Sequence, residues 1–237
     1  MDKKSIVISL FDLSTESVKP WANAGYICYC FDIQHKMVFD SVEYGKGMIV
    51  TGSHDLQRMS TIETIKTIVG DGKQVAFMSA FPPCTDLAVS GAKHFDKKLK
   101  ANPDYRKQAM NLVYISDYIG KFLKCPYYIE NPVSVISTEW RKPDFIFNPY
   151  DYGGYIPENE AEHPLYPELI MPRDAYPKKT CLWTGGGFEL PEKKPVEIKP
   201  GFSEQYKRLG GKSLKTKNIR SATPRGFAIA CYEKYGV

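Results

Sequence analysis

The sequence predicts an α/β protein: a mostly parallel central sheet, helices flanking it, and one small insertion. Three observations predict it. Short apolar runs rich in β-branched and aromatic residues recur at 5–10, 26–31, 48–50, 74–78 and 127–129. Stretches of helical character separate them, at about 16–24, 59–69 and 104–124. Several of the runs lead out into residues that carry chemistry, namely Asp32, Cys84 and Glu130. Strands alternating with helices build parallel sheets, and in such sheets ligands gather at the carboxyl ends of the strands.

Length and composition set the outer bounds. A chain of 237 residues suits one domain with an insertion and can bury a full core. Its 43% hydrophobic and 25% charged content is ordinary for a soluble globular protein. The net charge of +5 permits a polyanionic partner without demanding one. The first apolar run is too short for a secretory signal, and none approaches the roughly 20 residues of a membrane span. The six cysteines form no Cys-x-x-Cys pair and the four histidines are dispersed, which argues against a zinc site. The expectation is a cytoplasmic protein with reduced thiols, no membrane partner and no metal.

Residues 5–10 read as the first, central strand, followed by the polar turn 11–15. A helix over 16–24 tolerates Pro20 only near its first turn, and Gly25 stops it. Tyr26 to Phe31 is the second strand, closed by Asp32. A strand-turn-helix-strand unit ending in a carboxylate suits a nucleoside cofactor, because the acid can accept both ribose hydroxyls. Met48-Ile49-Val50 gives a third strand, leading to Asp55 and Leu56 and then a helix over 59–69. Asp55 also reads as an acid at that helix's start, where it suits the dipole. His54 reads as structural or solvated.

Gln74 to Met78 is a short buried strand. Pro82-Pro83 then stiffens the backbone, so Cys84 sits at a strand exit in a rigid turn. The second half of the chain repeats the pattern. A strong amphipathic helix over 104–124 leads to Tyr127-Tyr128-Ile129, and this strand delivers Glu130-Asn131-Pro132. Taken singly, a cysteine is usually a small buried hydrophobe and a glutamate at a strand end a solvated loop residue. Together they make a candidate nucleophile and acid.

Pro-Pro-Cys and Glu-Asn-Pro are the two signatures of DNA cytosine-C5 methyltransferases. The chain resembles that family, and more closely a compact group of phage and prophage proteins described as cytosine methyltransferase-like. The resemblance covers 5–56, 75–132 and 220–235. It implies a Rossmann-like S-adenosylmethionine-dependent fold, with a catalytic domain over 1–147 and 218–237. Residues 148–217, which include an irregular stretch over 150–177, would be a small target-recognition insertion. It further implies that Phe11, Asp12, Leu13 and Ser14 form the cofactor loop and that Asp32 holds the ribose. Ile33 would pack on the adenine, Asp55 accept its amino group, and Leu56, Pro82, Ser221 and Thr223 complete the pocket. The family's loop is Phe-x-Gly-x-Gly-Gly, whereas this one has no glycine. Its Gln-x-Arg-x-Arg strand has no match, and Lys178-Lys179-Thr180 stands in that place.

The resemblance implies an order of chemistry. Cytosine C5 is a poor nucleophile until the Cys84 thiolate adds to C6. Glu130, its pKa raised by burial, would neutralise charge at N3. Pro83 would orient Cys84, and Asn131 and Pro132 would orient Glu130. Residues 85–100 read as a basic lid over a flipped base, or as a solvated loop. The phosphate contacts are expected from Ser90, Lys93, Lys97 and Lys98 in the lid, and from Lys179, Lys212, Lys215, Lys217 and Arg220. For the segment 206–225 a flexible basic loop is the competing reading. The expected partner is DNA in a bacterial or phage-infected cytoplasm, with RNA or a free cytosine nucleotide as alternative substrates. An inactive nucleic-acid-binding protein on the same fold is the remaining reading.

Overall fold

The computed structural model describes residues 5–70, 74–198, 204–210 and 213–236. In chain order its elements are β1 (Ile6–Leu10), α1 (Lys19–Ala24), β2 (Ile27–Phe31), β3 (Asp40–Tyr44), β4 (Gly47–Gly52), α2 (Met59–Val69) and β5 (Val75–Ala80). There follow α3 (Phe95–Ala101), α4 (Tyr105–Leu123), β6 (Tyr127–Pro132), α5 (Ile136–Glu139), β7 (Phe145–Phe147) and β8 (Thr180–Gly185). The chain closes with α6 (Glu204–Arg208), α7 (Leu214–Ser221) and α8 (Arg225–Tyr235).

The strands form one eight-stranded sheet in the order β3-β4-β2-β1-β5-β6-β8-β7. From β4 to β6 the pairings are parallel, and β8 lies antiparallel to β6. All five residues of β1 are buried, as its apolar run requires of a central strand covered on both faces. One face packs Ile8, Leu10, Met78 and Ile129 with α2 and α4 through Ile65, Val113 and Ile119. The other packs Val7, Cys28, Phe77 and Tyr128 with Trp21 of α1 and Phe227 of α8. Helix α8 comes so close to the 3-10 turns after Pro149 that a Cβ on Gly226 would lie 2.2 Å from the Tyr152 carbonyl oxygen. Only glycine fits there.

The α/β class, the parallel core and the five expected strands are as the sequence indicates. Several details differ. Helix α1 begins at Lys19, because residues 12–18 are wound into a polar knot, and Pro20 falls in its first turn as expected. Strand β3 escapes sequence reading because all five of its residues are exposed and its alternation rests on two apolar residues alone, Val42 and Tyr44. Residues 85–101 are not an open loop but two 3-10 turns and α3. The basic segment after 204 contains two helices, α6 and α7.

Candidate active site

Strands β5 and β6 are parallel neighbours, with Ala80 paired to Ile129, so their carboxyl exits open side by side. The two exits are stitched together. Val89 N–H donates to the Val133 carbonyl at 3.1 Å, and Val135 N–H to the Leu87 carbonyl at 3.0 Å. Pro83 enters a 3-10 turn, Cys84–Asp86, whose first residue is the exposed Cys84. The Asn131 side-chain amide donates across the gap to the Pro82 carbonyl at 2.8 Å. Asn131 therefore holds the Pro-Pro turn against β6. It ties the backbone before Cys84 to the strand that carries Glu130.

Glu130 sits on β6 opposite Leu182 of β8. Its Oε1 is buried without a hydrogen-bond partner among the described residues. Burial pushes the Glu130 carboxyl above its ordinary range, and the Lys178 ammonium opposes that shift. Although Cys84 is exposed at the surface, its thiol is also raised, first by desolvation from the atoms packed around it and then by the Glu130 charge, while Lys178 and Lys217 pull it down. Four side chains thus share one electrostatic environment at the end of the sheet. A buried carboxyl with an unused oxygen is costly unless something arrives to use it. It can donate or share a proton with a ring nitrogen.

Lys178 reaches the site for a topological reason. Because β8 runs antiparallel to β6, its start lies beside the end of β6, with Thr180 opposite Pro132. Lys178 Nζ donates to the Arg220 carbonyl at 2.8 Å, and its backbone N–H donates to Asn148 Oδ1 at 3.1 Å. The residue therefore bridges β8 and the last turn of α7. Its neighbour Lys179 is exposed.

The loop after β1 forms the adjoining part of the edge. Asp12 is buried and gathers four donors: Ser9 Oγ at 2.8 Å, Ser17 Oγ at 2.5 Å, Ser14 Oγ at 3.2 Å and the Thr15 N–H at 2.8 Å. Ser79 of β5 joins the network through Ser9 at 2.9 Å. Phe11 and Thr15 both adopt left-handed φ, +57° and +60°. Such φ costs about 1–2 kcal/mol for a residue with a Cβ, and the Asp12 knot supplies the compensating bonds. The loop thus turns where glycines would let it turn, without containing one. Leu13 and Ser14 are half-buried at its crest.

Asp32 lies buried at the exit of β2 and accepts the Gln34 N–H at 2.7 Å. Burial raises its carboxyl, and the Gln34 bond and His35 work against that. His35 Nε2 lies 3.1 Å from the Asp12 carbonyl oxygen and links the two loops. Ile33 is 67% exposed, an apolar side chain left uncovered beside Asp32. Asp55 accepts the Gln57 N–H at 3.0 Å, so its side chain serves the turn leading into α2. Leu56 and Pro82 are buried. Thr223 is buried at the approach to α8, whereas Ser221 is exposed and bonds the Asn218 carbonyl.

The expected phosphate contacts divide. Ser90, Lys93, Lys97, Lys215 and Lys217 are exposed. Lys98 is engaged internally, donating to the Thr85 carbonyl and Asp86 Oδ1, both at 2.6 Å. It fastens α3 to the Cys84–Asp86 turn. Arg220 donates to the Leu209 carbonyl at 3.1 Å, and Lys212 lies outside the described residues. Sequence reading missed Ser9, Ser17, Ser79 and His35, for which no local pattern exists. It also missed that α7 spans the edge, with Asn218 bonded to Gln34 at 3.2 Å and Arg220 to Lys178. Among the described residues no cluster of His, Cys, Asp or Glu is placed to hold a metal ion, and no helix is long and apolar enough to cross a membrane.

The chain is an α/β fold: a mixed, mostly parallel eight-stranded sheet flanked by helices. No protein-family model matches the chain, and no curated protein matches it. Among solved structures it is similar to a prophage-encoded E. coli protein described as a candidate DNA modification methyltransferase, at 13% identity and a TM-score of 0.44. The match covers 77% of this chain and 46% of that one, so the chain spans less than half the length of that protein.

Proposed function

We propose that the protein transfers a methyl group to C5 of cytosine in DNA, with Cys84 as nucleophile and Glu130 as its acid partner. One observation carries the reading: a buried, unpartnered Glu130 Oε1 next to an exposed Cys84 at the mouths of adjacent parallel strands. The Cys84 thiolate adds to C6 of the ring. Negative charge moves toward N3, where protonated Glu130 meets it. Asn131, through Pro82, fixes the spacing of the two groups, and Pro83 and Pro132 stiffen their approach. After methylation a base removes the C5 proton and Cys84 leaves by elimination.

S-adenosylmethionine would supply an electrophilic methyl group. The residues present fit it. The left-handed turns at Phe11 and Thr15 give the loop the backbone path that glycine would otherwise provide. Asp32 stands at the exit of β2 to receive ribose hydroxyls, with Ile33 uncovered beside it. By the same reading residues 148–217 are the target-recognition insertion, and the exposed lysines 93, 97, 215 and 217 meet phosphates.

The test uses purified protein, labelled S-adenosylmethionine and DNA carrying 5-fluorocytosine in varied contexts. Fluorine at C5 blocks the final elimination, so a labelled, denaturation-resistant adduct is expected, absent in Cys84→Ala. Cofactor binding without an adduct on DNA would transfer the proposal to RNA or a free cytosine nucleotide. Absence of both would overturn it in favour of an inactive binding protein.

A further inference from the structure

Helix α4 turns an unusual face to solvent. Tyr114, Tyr118 and Phe122 are 43%, 51% and 41% exposed, at spacings of four residues along one line. Buried residues Ala109, Val113, Ser116 and Gly120 occupy the opposite side, and the row turns inward only at Met110. Cations lie over its rings. Lys66 Nζ of α2 is 5.9 Å from the Tyr118 ring centre and 5.3 Å from that of Phe122. Trp140 meets Tyr114 edge-on at 6.0 Å and carries the Arg141 guanidinium at 4.5 Å. Helix α4, which carries the stripe, also packs against the Cys84 turn.

We propose that this face is a track for single-stranded nucleic acid. Three properties select that occupant. Aromatic faces bind any base by stacking, and neighbouring cations meet its phosphates. Rings four residues apart on a helix rise about 6 Å from one to the next, wider than the roughly 3.4 Å step per strand in a duplex. A strand that follows the rings must therefore be unstacked, which a duplex is not. Two acids nearby are already engaged: Asp117 by Lys121 and the Tyr127 hydroxyl, Asp144 by Arg141 and Thr184. Lys66 has no carboxylate in ion-pair reach among the described residues. Two copies of this chain meeting through the stripe would bring like charges together, so a polyanion is favoured over self-association.

The proposal goes beyond methyl transfer and is tested without it. Anisotropy of a labelled oligothymidylate, and of a duplex of equal length, is measured against protein in the absence of cofactor. Trp140 fluorescence reports occupancy, since Trp21 and Trp183 are buried. The single strand should bind more tightly than the duplex and quench Trp140. Tyr118→Ala with Phe122→Ala should weaken it by about tenfold or more, with the thermal transition kept because both rings are exposed. Lys66→Gln should lower affinity and flatten its salt dependence. Equal binding of duplex and single strand, or unchanged binding by the double variant, would overturn the proposal. So would a concentration-dependent dimer abolished by that variant, which would make the face a self-interface.

Discussion

Because the Glu130 charge raises the Cys84 thiol on top of what desolvation does, neutralising Glu130 releases part of that restraint. The two groups are therefore coupled in a useful direction. In the proposed mechanism, the proton that Glu130 carries to N3 also removes the charge that holds the thiol protonated. Glu130→Gln keeps the shape and removes the charge. Its Cys84 should alkylate with iodoacetamide along a pH profile shifted to lower pH. An unchanged profile would mean the two side chains do not share a field. Cys84 and Glu130 were legible as candidates because proline stiffens the chain beside each, Pro82 and Pro83 before Cys84 and Pro132 after Glu130. Lys178 reaches them from 48 positions beyond Glu130 in number, through an antiparallel pairing that no local sequence pattern announces.

At the scale of elements, the loop between β1 and α1 depends on one carboxylate. Asp12 accepts from Ser9, Ser14, Ser17 and Thr15, and those bonds hold Phe11 and Thr15 at left-handed φ. Removing it strands buried hydroxyls and leaves the strain uncompensated. Asp12→Ala should cost about 3 kcal/mol in a urea melt, and Asp12→Asn less, since its carbonyl still accepts. A loss below about 1 kcal/mol would show that the knot is not what holds the turn. Sequence reading identified this loop but not its conformation, because serines distant in number form its floor. Burial explains the rest of the record. Strands β1, β2 and β5 were readable from apolar runs, whereas β3 is exposed throughout and its alternation rests on Val42 and Tyr44 alone.

Across the whole molecule, two buried groups beside α8 respond to pH in opposite senses. His163 accepts the Leu165 and Tyr166 N–H groups at Nδ1, both at 3.2 Å, and its Nε2 is buried without a partner among the described residues. Burial, then the charges of Arg225 and Lys19, lower its pKa to about 4. Asp174 caps α8 from a distance, accepting the Gly226 N–H at 3.0 Å. Burial raises its carboxyl to about 6, with Glu16 adding to the shift and Arg225 and the Gly226 bond opposing it. As pH falls below about 6.5 the unfolded chain protonates its histidine while the folded chain does not, so His163 withdraws stability down to about pH 4. Asp174 does the reverse, because the folded chain gains its proton near pH 6 and the unfolded chain only near 3.8. Each contribution is roughly 3 kcal/mol at full extent, so the pair nearly cancels across the acid range. Breaking the pair should expose each slope. His163→Asn keeps an acceptor for the turn and should become more stable relative to wild type as pH drops from 6.5 to 4. Asp174→Asn keeps an acceptor for Gly226 and should become less stable over the same interval. Urea melts of the three proteins at several pH values measure this directly, and parallel pH profiles would refute it. The cancellation matters for how the chain is organised. Arg225, which faces both groups, also donates to the Glu160 and Glu162 carbonyls, so the same contacts that balance the charges clamp α8 to the segment after Tyr155.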